Sequence, residues 1–295
     1  KAKQRGADPA RATLHVVPTA AEKPYYQAAD GSCWRVYDFV ENTVCLQQVQ
    51  SAEDFYQSAV AFGNFQHQLA AYPAHTLHET IPHFHDTPKR FADFQRAVAE
   101  DRMGRAAQVR REIEFVCARE ADYHVMVDLL AAGKLPLRVT HNDTKINNIL
   151  FDRQGEVLCA IDLDTVMAST SLNDFGDAIR SYANTGDEDD RDLSRVGMSL
   201  EMFRAYTEGY LSQRAGQLNQ AEIDHLAFSA RYITFEQVLR FLMDYIDGDT
   251  YYKVKYPGHN LVRTHAQYRL LQSMEEHYGE MCRIVDGIAA KYRNA

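Results

Sequence analysis

The most constraining stretch of the chain is the polar run His141-Asn142-Asp143-Thr144-Lys145-Ile146-Asn147-Asn148, set between apolar segments. LPLRVTH (135–141) reads as a short apolar strand that leads into it. NNILFD, RQGE and VLCAID (147–162) then read as a β-hairpin whose second strand is almost entirely apolar and ends at Asp162. One carboxylate therefore sits on a loop leaving a strand, and an amide and a second carboxylate flank a hairpin that brings them together. Those are the parts phosphoryl transfer needs: a carboxylate that orients and deprotonates an attacking hydroxyl, and two oxygen ligands that hold Mg²⁺ on nucleotide phosphates.

The rest of the chain divides around this segment. Up to about residue 46 it is β-rich, with TLHVVP (13–18), KPYYQA (23–28), a turn signal at Asp30-Gly31 and a longer strand, SCWRVYDFVE (32–41). Helix begins at Ser51, which can cap with Asp54 in the first turn, and Phe55, Ala59, Phe62, Phe65 and Leu69 repeat at helical spacing. Thr87-Pro88 reads as an N-cap followed by a first-turn proline. Further helices are predicted over 104–132 ending at Gly133, 171–183, 195–214, 219–246 and 261–291. The expected organisation is residues 1–46 as the remainder of a strand-rich N-terminal lobe with its hinge, and 47–295 as a helical C-terminal lobe. The fold class is α+β.

Composition excludes several alternatives. The chain has 295 residues, 32 Lys and Arg against 41 Asp and Glu, and a formal net charge of −9, which disfavours nucleic acid and anionic membrane as partners. Its 5 cysteines include no CxxC pair, so neither a disulfide framework nor a zinc ribbon is indicated, and buried spectators are expected. The longest charge-free stretch, Phe55 to His78, is broken by Gln, Asn and His, and residues 1–12 lack the apolar core of a signal peptide. A soluble, cytoplasmic protein, monomeric by default, is the expectation.

The spacing His141-x-Asp143-x-x-x-x-Asn148, followed by Asp162 after an Ile, resembles the kinase-like phosphotransferases of the aminoglycoside phosphotransferase and choline kinase superfamily. A closer resemblance, to the N-acetylhexosamine 1-kinases, runs through THNDTKINNILFD (140–152), AIDLDTVM (160–167), DFGDAIR (174–180), Cys33–Phe39 and LRFLMDYIDGDTYYKVKYPGHN (239–260). It implies a two-lobed protein-kinase-like fold, ATP and Mg²⁺ as cofactors, and phosphorylation of the C1 hydroxyl of an N-acetylhexosamine. By matched position Asp143 is the catalytic base and meets the acceptor, Asn148 and Asp162 hold Mg²⁺, His141 braces the loop, and Lys145 meets the γ-phosphate. Arg240 and Tyr251 are implied to contact the sugar. Residues 36–41 are the implied hinge, with Tyr37 and Phe39 beside the nucleotide but as core side chains rather than stacking partners.

Other features fit less directly. Asp174-Phe175-Gly176 looks like a metal-binding DFG, but Asp162 already occupies the metal position, so Asp174 and Asp177 are expected to start a helix and brace the catalytic loop. Asp164 would share Asp162's side of an extended strand, as a second metal contact or a solvent-facing brace. No GxGxxG and no phosphate-pairing strand lysine precede the Trp34 strand, so the given chain reads as lacking part of the nucleotide lobe. Trp34 is expected in the core or at the lobe interface. The histidines at 75, 78, 83 and 85 are not expected to hold a metal, and the acidic run 187–190 reads as a solvated loop. Two alternatives remain: a kinase of the same fold acting on an aminoglycoside, choline-like alcohol or other sugar, and a non-catalytic pseudokinase module.

Overall fold

The computed structural model describes residues 11–293; most of the 1–12 segment read above for a leader lies outside the described residues. The small lobe holds β1 (Val16–Val17), β2 (Tyr26–Gln27), β3 (Cys33–Trp34), β4 (Val36–Tyr37) and β5 (Thr43–Val44). β2 and β3 pair antiparallel around the predicted Asp30-Gly31 turn, with Gly31 at φ +87° and the Ser32 N–H and hydroxyl both donating to Asp30 Oδ1. The longer strand expected over 32–41 is instead two short ones. Residues 33–34 pair with β2 and residues 36–37 with β1, so the run changes partner at Arg35. With so little sheet to pack against, Phe39 is 86% exposed and not the core residue expected. Trp34, 65% exposed, lies not in the core but in the other expected place, a cleft shared with Leu163 and Asp164 of the large lobe.

The large lobe contains α1 (Ala52–Leu69), α2 (Thr87–Glu100), α3 (Arg110–Cys117), α4 (Glu120–Ala131), β6 (Arg138–Thr140), β7 (Ile149–Asp152), β8 (Val157–Ala160), β9 (Met167–Ser169), α5 (Ser171–Tyr182), α6 (Leu200–Arg214), α7 (Gln220–Asp224), α8 (Leu226–Ile246), α9 (His259–Glu276) and α10 (Tyr278–Arg293). Ser51 caps α1 through Asp54 N as predicted. The α2 cap is Asp86, not Thr87, whose hydroxyl is buried between Tyr123 O and Tyr232. Three predicted helices are each interrupted. The 104–132 run breaks at Arg119, whose guanidinium is drawn to Glu275 by two 2.8 Å bonds. The other breaks fall at His225 and His277, where ring Nδ1 bonds the carbonyl four residues back and competes with the backbone for it.

β5, β7 and β8 form one antiparallel sheet, and β6 pairs with β9 in another. β5 thus ties the end of the small lobe to the hairpin predicted from sequence. Ile146, Ile149 and Phe151 bury that hairpin against Ala61 and Phe62 of α1, and the main core lies between α1, α5, α6, α8 and the two C-terminal helices. α1 and α6 approach closely because Gly209 faces α1: a Cβ there would meet Tyr56 O at 2.4 Å and Ala59 Cβ at 2.9 Å. Gly209→Ala is expected to destabilise the protein by about 1–3 kcal/mol through overpacking. A lower denaturant midpoint would show it, and a wild-type midpoint would refute the close-approach argument.

Cys33, Cys45 and Cys117 are exposed, contrary to the expectation of burial, while Cys159 is buried and Cys282 partly so. Among the described residues no helix is long and apolar enough to cross a membrane.

Candidate active site

β6 delivers the chain into the polar loop, and the loop's shape is set by a carboxylate beneath it. Asp174, fully buried on α5, accepts from His141 N (2.9 Å) and Asn142 N (2.7 Å), and Gln66 Nε2 of α1 donates to it at 2.7 Å. Burial pushes the Asp174 carboxyl up, and the three donated hydrogen bonds oppose that shift. These bonds hold Asn142 at φ +62°, a left-handed conformation that Asn tolerates better than most residues. One turn along α5, Asp177 accepts from Thr144 N and Thr144 Oγ1 and pairs with Arg180. Burial raises its pKa, but Arg180 and Thr144 outweigh burial and hold Asp177 below the usual carboxylate range.

His141 is buried, with its ring edge-on to Phe62 and Phe65 and its Nε2 bonded to Ile161 O at 2.9 Å. That bond links the loop to the end of the β7–β8 hairpin. Asp143 emerges from the loop partly exposed. Its Oδ1 pairs with Lys145 Nζ at 2.8 Å, and its Oδ2 accepts from Asn148 Nδ2 at 3.0 Å. Burial opposes the charge on Lys145, but Asp143 and Asp177 hold the ammonium above its ordinary pKa. Both Asn148 donor bonds go to Asp143, one to the carboxylate and one to the backbone carbonyl, which leaves Asn148 Oδ1 for another ligand.

The hairpin register places Ile161 opposite Asn148, with Asp162 as the next residue. Ile149 pairs with Ala160, and Ile161 N donates to Asn148 O at 2.8 Å. Asp162 is exposed, at φ +57°. The pair offers a neutral amide oxygen and a carboxylate, hard oxygen donors of the kind Mg²⁺ takes. The extended-strand reading of Asp164 does not hold, because residues 163–165 form a 3₁₀ turn. Asp164 instead pairs with Arg35 of the small lobe and bridges the two lobes.

Two clefts flank these groups. On the small-lobe side, Trp34, Arg35, Tyr37, Thr80, Leu163 and Asp164 are among the walls of one, and Phe39 is not. On the other side Asp143, Lys145, Asp177, Glu236, Arg240 and Tyr252 share a second. Tyr251, not itself among the cleft's walls, is 69% exposed, with its ring edge-on to Tyr252 and 5.8 Å from the Arg240 guanidinium carbon. The structure thus brings Asp143, Lys145 and Arg240 into one cleft, leaves Asn148 and Asp162 at the same end of the hairpin, joined through Ile161, and keeps Tyr37 on the small-lobe side.

Family comparison decides the class of the chain. The APH model, described as the phosphotransferase enzyme family, matches residues 10–212. The chain belongs to this family. Solved structures similar to this phosphotransferase include the ethanolamine kinase of Plasmodium vivax, at a TM-score of 0.52 and 14% identity over 88% of this chain and 69% of that one. A choline kinase from Cryptosporidium parvum Iowa II is similar at a TM-score of 0.50 and 13% identity over 94% of this chain and 77% of that one. Identities this low speak to the fold, and the fold is the two-lobed kinase-like one.

Several residues of the phosphotransferase's second cleft were not singled out from sequence. Glu236, buried on α8, meets His85 Nδ1 at 3.0 Å, Arg90 Nε at 3.4 Å and Arg240 Nη1 at 3.8 Å. Burial opposes its charge, but His85 and the two arginines hold Glu236 below the usual range. The Glu236–Arg240 pair at i,i+4 was the available signal. Asp244, one turn beyond Arg240, accepts from Thr250 N, Tyr251 N, Tyr252 N and Asn260 Nδ2, and so shapes the loop that carries both tyrosines. The histidine group is dispersed, His83 pairing with Asp86 and His85 with Glu236. The acidic run is likewise tied down rather than freely solvated: Glu188 pairs with Arg180, and Asp189 with Lys255 and His259.

Proposed function

We propose that this phosphotransferase transfers the γ-phosphoryl group of ATP to a hydroxyl of an uncharged sugar, with the anomeric C1 hydroxyl of an N-acetylhexosamine as the acceptor group. The observation that carries the acceptor class is the charge pairing of the second cleft. Each of its carboxylates is matched by a cation within the protein: Asp143 by Lys145, Asp177 and Glu188 by Arg180, Glu236 by Arg90 and Arg240, with His85 Nδ1 also bonded to Glu236. No unmatched acidic wall waits for a polycation, which weighs against an aminoglycoside.

In this reading Asp143 Oδ2 orients the attacking hydroxyl and takes its proton, and Lys145, paired with the neighbouring Oδ1, turns its ammonium to the charge that develops on the γ-phosphoryl. Asn148 and Asp162 would hold Mg²⁺, which neutralises charge on the nucleotide phosphates when bound. His141 fixes the loop against the hairpin end. Tyr37 and the backbone of residues 36–41 serve the adenine, residues 1–46 belong to the nucleotide lobe and its hinge, and 47–295 carry the acceptor. Arg240 and Tyr251 line the sugar's path.

The test is ADP release from the full-length protein with Mg²⁺ and ATP, across N-acetylglucosamine, N-acetylgalactosamine, choline and kanamycin, with the product's phosphate located by ³¹P NMR. Turnover confined to the N-acetylhexosamines with phosphate on C1 is expected. Phosphate on another hydroxyl, a preference for choline or kanamycin, or no ADP release with any acceptor would each overturn the reading.

A further inference from the structure

The cleft's aromatic residues are arranged around a cation that belongs to the protein. The Arg240 guanidinium carbon lies 5.8 Å from the centre of the Phe84 ring, 5.8 Å from that of Tyr251 and 5.5 Å from that of Tyr252. Behind it, Glu236 is 3% exposed, with its Oε1 at 3.8 Å from Arg240 Nη1 and without a hydrogen bond. Aromatic faces within about 6 Å of a cation, backed by a carboxylate, are the composition that recognises alkylammonium groups. Here that space has a resident.

We infer that Arg240 decides the charge class of the acceptor, by filling an aromatic box that would otherwise take an alkylammonium ion. The inference rests on the proposed assignment of this cleft to the acceptor. Phe84 and Tyr252 are held by groups other than Arg240, while the Tyr251 side chain also hydrogen-bonds Arg240. Arg90 grips the carbonyl of Phe84 with two bonds, at 3.0 and 2.6 Å. Asp244 holds the backbone of Tyr251 and Tyr252, and Gln237 donates to the Tyr252 hydroxyl at 3.0 Å. Glu236 keeps its hydrogen bond to His85 at Oε2. Shortening Arg240 therefore leaves three rings and a buried carboxylate that keeps Arg90 at 3.4 Å but has lost its second guanidinium, and a buried charge with less compensation favours a cation able to enter. The exposed Tyr251 ring marks the side from which a small ion reaches the box.

Isothermal titration of the full chain with choline chloride and with tetramethylammonium chloride tests this. The wild type is expected to bind neither measurably. Arg240→Ala is expected to bind both at least roughly tenfold more tightly than wild type, the factor that about 1.4 kcal/mol represents. Adding Glu236→Gln should remove that gain. Arg240→Gln, which keeps a longer neutral side chain in the helix, is the second variant and should gain affinity in the same direction by a smaller factor. A folded Arg240→Ala or Arg240→Gln no better than wild type, or a wild type that binds tetramethylammonium as well as Arg240→Ala does, would overturn the inference. The readout is binding, so it is separable from the function proposed above: absence of sugar phosphorylation by the wild type would remove that reading and leave the titration result standing.

Discussion

Asp143→Asn is expected to lower turnover by roughly 10²–10⁴-fold, the range lost with a positioned general base. The amide cannot accept the hydroxyl proton, and it also misfits its neighbours. Both Asp143 oxygens now face donors, Lys145 Nζ at 2.8 Å and Asn148 Nδ2 at 3.0 Å. An amide must turn its NH₂ towards one of them, and whichever bond is lost loosens either the lysine or the residue proposed to hold the metal. Asp143 is partly exposed and makes no contact in the hydrophobic core, so stability should change by less than about 1 kcal/mol. ADP release measured beside a denaturant melt separates the two effects. Wild-type-like turnover by the folded variant would remove Asp143 from the mechanism, and a large stability loss would recast it as a structural residue.

The parts of the fold legible in the sequence were those whose residues answer to local rules. The β7–β8 hairpin has an alternating first strand, an apolar second strand and a positive-φ glycine at its turn, Gly155, and α1 has its Ser51 cap; both formed where apolar pattern and turn chemistry put them. The small lobe was less legible because β propensity in 32–41 says nothing of partners. Val36 and Trp34 belong to different pairings, and neither pairing is wide enough to bury an aromatic side chain. The interrupted helices failed for a related reason. Nothing local distinguishes His225 or His277 from any other helical histidine until its ring finds a carbonyl.

The candidate site shows the same division. Asp143, Lys145 and Asn148 lie within one loop, and Asp162 is joined to Asn148 by a single hairpin register. Glu236, His85 and Arg90 meet only after α8 packs on α2 and the segment before it, across separations of more than a hundred residues that no spacing rule spans. Asp164 was misread because a strand period was applied where the backbone turns.

Asp174→Ala is expected to cost about 3–5 kcal/mol of stability and to abolish activity in whatever protein remains folded, although Asp174 touches neither proposed substrate. Its side chain is the common acceptor for His141 N, Asn142 N and Gln66 Nε2, all in a site closed to water. Each donor left without a partner costs about 1–3 kcal/mol, and removal of a buried charge that others are arranged around falls in the upper range of single substitutions. Gln66 cannot simply turn its carbonyl to compensate, because its Oε1 already accepts from the Tyr210 hydroxyl at 2.7 Å. The loss of activity follows from geometry: without the two backbone bonds the left-handed Asn142 keeps only its side-chain bonds to Thr165 O and Thr140 O, and Asp143 is the next residue. Asp174→Asn sharpens the test. It preserves volume but offers one oxygen where both carboxylate oxygens are used, so it should recover less than half of the lost stability. Chemical denaturation of the two variants, with ADP release measured on their folded fractions, checks both expectations. Near-wild-type stability of Asp174→Ala would mean that water or a rearranged side chain can replace the brace, and the link from α5 to the loop would then fail.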